Sequence, residues 1–352
     1  MRFDDQAVTS VANTAFAARL WGAVDRILAL EPSLADLVSH RIEPLAARRC
    51  RALGRDVSPG LAEGELQAGI ATVAAPVLLR RVREAVDGPL VLFKGAELAA
   101  HYPEDGLRAY CDVDLLVPDP EAAQQALLAA GFDPVGEPEL YVDIHHLRPL
   151  ALPELPLNVE LHSAPKWPRE LPAPPVEELL AAAIPSALGL DGISALAPEH
   201  HALALAAHSW AHEPLRRLGD VFDVAVASEH CEAGELAELA RRWGMGRLWR
   251  TTHAAVEATM HGGPLPRSAR LWAASLERGR ERTVLQSHAS RWLSGFAVLP
   301  AHRAARSLGG TLVREVLPDD EPWREKARRS LRALRAPSTA RSEHDRAVAR
   351  EP

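Results

Sequence analysis

The chain has 352 residues, 47% of them hydrophobic, and a formal net charge of −7. That length suits two or three domains with a sizeable core. The mild negative charge argues against a protein that coats nucleic acid, and no apolar run approaches the roughly 20 residues a transmembrane helix needs.

Three widely spaced cysteines, Cys50, Cys111 and Cys231, form no metal-binding pair and point to a reducing compartment. Residues 1–10 are acidic and polar and lack the apolar centre of a secretory signal. The expectation is a soluble, cytoplasmic protein with no membrane partner. Lysine occurs only at Lys94, Lys166 and Lys326, against many arginines, so Lys94 stands out in the motif below.

Residues 8–87 read as helical, rich in alanine and leucine, with Ile70, Val73, Val77, Leu78 and Val82 at the three-to-four spacing of an apolar helix face. Gly88-Pro89 ends this part. Leu90-Val91-Leu92-Phe93-Lys94-Gly95 reads as a buried strand stopping at a tight turn. Residues 96–101 favour helix until Pro103 breaks it. Asp112-Val113-Asp114-Leu115-Leu116-Val117 reads as a strand with Asp112 and Asp114 on one face and Val113 and Leu115 turned into a core. Two like charges side by side repel and lose hydration, and a divalent cation between them relieves both costs.

Residues 121–130 read as a helix, opened by Pro118-Asp119-Pro120 and closed by Gly131. Residues 141–147 resemble a strand, and residues 149–156 a turn leading back into Asn158-Val159-Glu160-Leu161-His162 as an antiparallel partner. Glu160 and His162 share a face of that last strand, so Glu160 is a candidate third acid. His162 either supports the acids from behind or is an ordinary polar strand residue. His145 and His146 are adjacent, so at most one joins any site. Residues 165–175 are proline-dense and read as a connector. Residues 176–335 read as helical again, and residues 337–352 as a disordered tail. Within the helical part, His208 and His212 lie four apart and share a face. That spacing suits zinc, but no His-Glu-x-x-His order accompanies it and no third ligand is evident, so interface packing is the simpler reading. Arg216, Arg217 and Asp220 follow; they suit either a phosphate or a solvated helix end with a salt bridge.

A Lys-Gly turn, an Asp-x-Asp strand and a further acid on a later strand resemble the nucleotidyltransferase superfamily that includes DNA polymerase beta. More narrowly, the chain resembles the uncharacterised bacterial nucleotidyltransferases over roughly residues 60–250. The matching motifs are Leu92-Phe93-Lys94-Gly95, Tyr102-Pro103, Arg108, Asp112 to Val117, Gly131-Phe132, His145-His146, Val159-Glu160-Leu161-His162, Leu196-Ala197-Pro198-Glu199-His200, His208, His212 and Arg217 to Asp223. At the turn the superfamily carries Gly-Ser or Gly-Gly, where this chain has Gly95-Ala96.

The resemblance implies an α+β fold. A small mixed β-sheet core at 88–165 would be flanked by an N-terminal helical region, 1–87, and a C-terminal helical domain, 176–335. It implies transfer of a nucleoside monophosphate from an NTP, with two Mg²⁺ ions roughly 3.5–4 Å apart stabilising the attacking and leaving oxygens. Asp112, Asp114 and Glu160 are then the catalytic acids and metal ligands. Lys94, Gly95 and Arg108 meet the nucleotide, with Arg108 contacting phosphate or pairing with the acids. His162, His208, His212, Arg216, Arg217 and Asp220 back the acids or form the far cleft wall, His208, His212 and Arg216 along one helical stripe. The acceptor is open, a small molecule or protein in preference to nucleic acid. The alternative is a non-catalytic relative that binds nucleotide or a partner.

Overall fold

The computed structural model describes residues 4–141, 146–211 and 213–316, together with residue 328. Four helices come first: α1 (Asp4–Leu28), α2 (Leu34–His40), α3 (Glu43–Ala52) and α4 (Pro59–Ala85). The sheet region follows with β1 (Val91–Leu92), α5 (Ala96–Ala99), β2 (Asp112–Leu116), α6 (Pro120–Ala129), β3 (Asp133–Pro134), β4 (Leu150–Ala151) and β5 (Asn158–His162). Then come α7 (Val176–Ala181), β6 (Ile184–Pro185), β7 (Ser194–Ala195), α8 (Pro198–Ala211), α9 (Leu218–Ser228), α10 (Ala233–Arg242) and α11 (Gly246–His261). The described chain closes with α12 (Arg267–Ala273), α13 (Val284–Leu293), α14 (Gly295–Val298) and α15 (Ala301–Val316).

The fold is α+β, with one seven-stranded mixed sheet in the order β3-β4-β5-β2-β1-β7-β6. Strands β2 and β5 pair in parallel, as do β1 and β7, and the other neighbours are antiparallel. The sheet is covered on both faces. Val113, Leu115, Val159 and Leu161 pack with Leu78, Leu79 and Val82 of α4 and with Ala123 and Leu127 of α6. Each of these strand side chains is almost fully buried, which stabilises the fold by about 1.5–3 kcal/mol apiece. On the other face Val91, Phe93 and Leu116 join the larger core built from α1, α3 and α8 to α11. The polar positions of β2 and β5 open on that same side.

Helix α6 follows its sequence signals closely. Pro120 sits in its first turn, the Asp119 side chain accepts from the Ala122 N–H at 2.9 Å, and Gly131 turns away at φ +91°. Elsewhere the structure departs from the sequence reading. The expected strand over 141–147 is not seen where described: Pro138–Tyr141 is a 3₁₀ turn, His146 makes an isolated antiparallel bridge to His162, and residues 142–145 lie outside the described residues. The antiparallel strand partner of β5 is β4, inside the segment read as a turn. Strands β6 and β7 lie in the stretch read as helical, joined through Gly189 and Gly192 at positive φ, and β7 extends the sheet beside β1. All three are two residues long, too short for an alternating pattern to register. The expected tail at 337–352 also lies outside the described residues.

Candidate active site

The site begins at the end of β1. Phe93 N–H donates to the Asp114 carbonyl at 3.3 Å, which holds β1 against β2 and brings Lys94 alongside the acids. Gly95 then turns with φ +55° and ψ −118°, and a Cβ there would sit 2.6 Å from the Asp112 carbonyl oxygen. Only glycine combines that conformation with so close an approach.

Parallel pairing of β2 and β5 places Asp114 directly beside Glu160. Two residues further along, His162 Nε2 lies 3.1 Å from Asp114 Oδ1 and 3.6 Å from Glu160 Oε2. Lys94 Nζ is 2.6 Å from the same Asp114 Oδ1. His146 Nε2 stands 3.8 Å from Glu160 Oε2, while its Nδ1 donates to the Leu147 carbonyl at 2.7 Å. Among the described residues, Asp114, Glu160 and His162 offer ligand atoms all within 4.8 Å of one another. Asp112 lines the same cavity outside that tight cluster.

Burial alone raises a carboxyl, but at Asp114 the Lys94 ammonium and the His162 hydrogen bond outweigh it and hold the group well below the usual range. Asp112 moves the other way. Burial, then the charge of Asp114, pushes it up to about 6. Burial opposes charge on Lys94 and His162, yet the neighbouring acids raise both. The two aspartates thus sit in environments that drive them apart, a pattern found where carboxylates take different roles. Asp114 Oδ2 is buried with no hydrogen-bond partner.

These groups open into a cavity of about 350 Å³. It is lined by Lys94, Asp112, Asp114, Glu160, His146 and Lys166, and also by Arg41, His208, Arg216, Arg217 and Asp220. Burial and the nearby Arg41 lower Arg217 to about 10, and among the described residues no carboxylate makes an ion pair with Arg41 or Arg217. Burial and the Lys94 charge bring Lys166 down to about 8.

Two sequence expectations change here. Arg108 pairs neither with Asp112 nor with Asp114. It grips Asp223 of α9 with Nε and Nη2 at 3.0 and 2.9 Å, and its Nη1 donates to the Gly95 carbonyl at 3.2 Å. Tyr102 O–H also donates to Asp223 at 2.8 Å. Arg108 therefore ties the Lys-Gly turn to α9 while still lining the cavity. Nor do His208 and Arg216 share a helical stripe. Helix α8 stops at Ala211 ahead of Pro214, and Arg216 lies in the connection to α9. Both still face the cavity, and His212 lies outside the described residues.

Sequence reading missed Arg41, Lys166, Tyr102 and Asp223 as cavity residues. Lysine rarity marked Lys166, and Tyr102 and Asp223 lay inside quoted motifs. Nothing marked Arg41, which reaches the cavity only because α2 ends there in a left-handed turn at φ +55°. No described helix is long and apolar enough to cross a membrane.

No curated protein and no solved structure is significantly similar to the chain. A family model described as uncharacterised nucleotidyltransferase matches residues 33–260, a span that holds every part of the cavity just described. The chain belongs to that nucleotidyltransferase family.

Proposed function

We propose that the chain transfers a nucleoside monophosphate from an NTP to an acceptor and releases pyrophosphate, with Mg²⁺ as cofactor. The observation that carries this reading is the in-register Asp114–Glu160 pair, flanked by Asp112 and Lys94, lining one cavity together with Arg41, Arg216 and Arg217. Its volume, about 350 Å³, lies in the range of small-ligand sites, roughly 300–1,000 Å³.

The donor set fits a hard divalent cation. Asp112, Asp114 and Glu160 supply carboxylate oxygens, and the orphaned Asp114 Oδ2 is a buried oxygen in want of a positive partner. When bound there, Mg²⁺ supplies charge neutralisation for the reacting phosphate oxygens. The chain's own residues do the rest. Lys94, Arg216 and Arg217 offset triphosphate charge, and Gly95 lets backbone approach it closely. In this reading Glu160 takes the proton of the attacking group, and His162 and His146, 3.6 and 3.8 Å from its Oε2, steady its orientation. The net charge of −7 favours a small molecule or protein as acceptor over nucleic acid.

One observation favours the second reading, a nucleotide binder without turnover. Lys94 and His162 both already occupy Asp114 Oδ1. The two readings separate in one experiment: thermal melting with each NTP, with and without Mg²⁺, alongside a pyrophosphate-release assay. We expect Mg²⁺ to raise the melting temperature of the wild type and to lose most of that effect in Asp114→Asn, because it binds the folded form through this carboxylate. Arg216→Ala with Arg217→Ala should weaken NTP binding by about tenfold or more, the scale of a charge-assisted hydrogen bond. A nucleotide shift without pyrophosphate supports the binder. Equal Mg²⁺ shifts in wild type and Asp114→Asn would remove the metal site.

A further inference from the structure

Helix α4 is the longest described helix, and it is apolar on two faces. One face packs under the sheet through Ala71, Ala75, Leu78, Leu79 and Val82. The other carries Leu66, Ile70, Val73 and Val77, which are 56%, 39%, 74% and 43% exposed. All four stay partly open to solvent among the described residues. Soluble chains rarely leave a continuous apolar row open without a partner.

The row continues past its apolar part. Glu63 precedes Leu66 by three residues and Arg80 follows Val77 by three, and both are exposed. The series Glu63, Leu66, Ile70, Val73, Val77, Arg80 therefore steps by three, four, three, four and three. That is the spacing of a coiled-coil seam, apolar at its centre, acidic at one end and basic at the other. In an antiparallel pair the two kinds of seam position face each other. Ile70 of one protomer then meets Val73 of its partner, Leu66 meets Val77, and Glu63 meets Arg80. All three pairings share one register about a single two-fold axis. A parallel pair would set Glu63 against Glu63 and Arg80 against Arg80, which like charge disfavours.

We propose that α4 is the contact surface for a second copy of this chain, packed antiparallel about a two-fold axis, with Glu63–Arg80 ion pairs closing both ends. The arrangement is self-complementary, as a two-fold interface requires. Its size sets its strength. From Glu63 to Arg80 the seam is about 26 Å long at 1.5 Å per residue, and at about 10 Å wide it covers on the order of 260 Å² per copy. That is below the roughly 800 Å² per partner of a standard stable interface, so the dimer is reversible and concentration-dependent. The surface lies on the far side of α4 from the sheet, away from the cavity, and the inference does not depend on the proposed chemistry.

The test is sedimentation velocity on the full chain from about 1 to 200 µM, spanning the affinities of weak interfaces. We expect the mass to rise from one copy toward two across that range. Val73→Glu places two charges at the centre of the seam and should keep the protein monomeric. Val73 is the most exposed of the four, so the variant should fold, and its circular dichroism melt verifies that. Glu63→Arg alone should weaken the dimer by about tenfold, and Glu63→Arg with Arg80→Glu should restore it. A monomer at every concentration overturns the proposal. So does a dimer indifferent to Val73→Glu, or a swap that fails to restore. A monomer whose melting temperature falls on Val73→Glu would mean that the chain's own remaining segment covers the row, and would overturn it equally.

Discussion

At Gly95 the chain reverses with a backbone that side-chain-bearing residues rarely adopt, and the Asp112 carbonyl fills the space where a Cβ would stand. The contact is between backbone atoms, so no flexible side chain can move aside. Gly95→Ala should therefore push β1 and β2 apart locally, at a cost of about 1–3 kcal/mol. Lys94 and Asp112 flank the displaced atoms, so affinity for Mg²⁺ and nucleotide should fall with stability. Urea denaturation reads the first effect and thermal shift the second. An unchanged urea midpoint would mean that the turn relaxes freely and that its conformation is incidental. At the same scale, Lys94 and His162 converge on one oxygen of Asp114 and leave the other without a partner. Charge is concentrated at one side of that carboxylate, and the buried, unmet need lies at the other.

Between elements, the Arg108–Asp223 pair decides where α9 stands relative to the Lys-Gly turn. Asp223 is 8% exposed and accepts from Arg108 twice and from Tyr102 once. Arg108→Ala leaves a buried carboxylate with only a phenol, which should cost about 3–5 kcal/mol. Adding Asp223→Asn should recover part of that loss, because the remaining group is neutral. Chemical denaturation of the two variants measures both steps, and a single-variant loss below about 1 kcal/mol would contradict the pairing. This pair was not legible in the sequence. Its members lie 115 positions apart, and no periodicity links a loop before one strand to a helix so distant. Local signals did better. The Asp112 to Leu116 strand and the α6 helix with its Asp119 cap stand where composition put them. Helix α4 was legible as a helix but not in its orientation. Its buried face mixes Ala68, Ala71, Ala74 and Ala75 with Leu61, Leu78, Leu79 and Val82, while Ile70, Val73 and Val77 point outward, so apolar spacing alone marked residues of both faces. The acid pair and its neighbours were legible because their chemistry is compact in sequence. The cavity's arginines were only partly so, since Arg41 comes from the end of a separate helix.

Over the whole molecule, two buried histidines join layers that carry the cavity. His40 Nδ1 accepts from the Leu218 N–H at 3.3 Å, linking α2 to the start of α9. His201 Nε2 donates to the Phe93 carbonyl at 2.7 Å, linking α8 to the residue just before Lys94. Burial lowers each from 6.5 to about 4. In the unfolded chain both take a proton as pH falls through about 6.5, while in the fold they stay neutral until about pH 4. Their contribution is complete above pH 6.5 and is lost as pH falls toward 4, by about 3 kcal/mol each at most. Carboxylates held low by ion pairs, such as Asp25 and Glu65, act only below about 4.5, so the window from 7 to 5 belongs to other groups. Asp112 and His162 work in the opposite sense there, since both gain protons more readily in the fold. The net slope of the wild type is therefore a balance, and the informative quantity is a difference. His201→Gln keeps an N–H for the Phe93 carbonyl and cannot titrate. Between pH 7 and pH 5 the wild type should lose about 2 kcal/mol more than this variant in urea denaturation. Equal losses would mean that His201 charges freely in the fold and that the joint between α8 and β1 tolerates it. The predicted difference instead ties the acid sensitivity of the whole fold to a buried histidine whose contact lies one residue from Lys94.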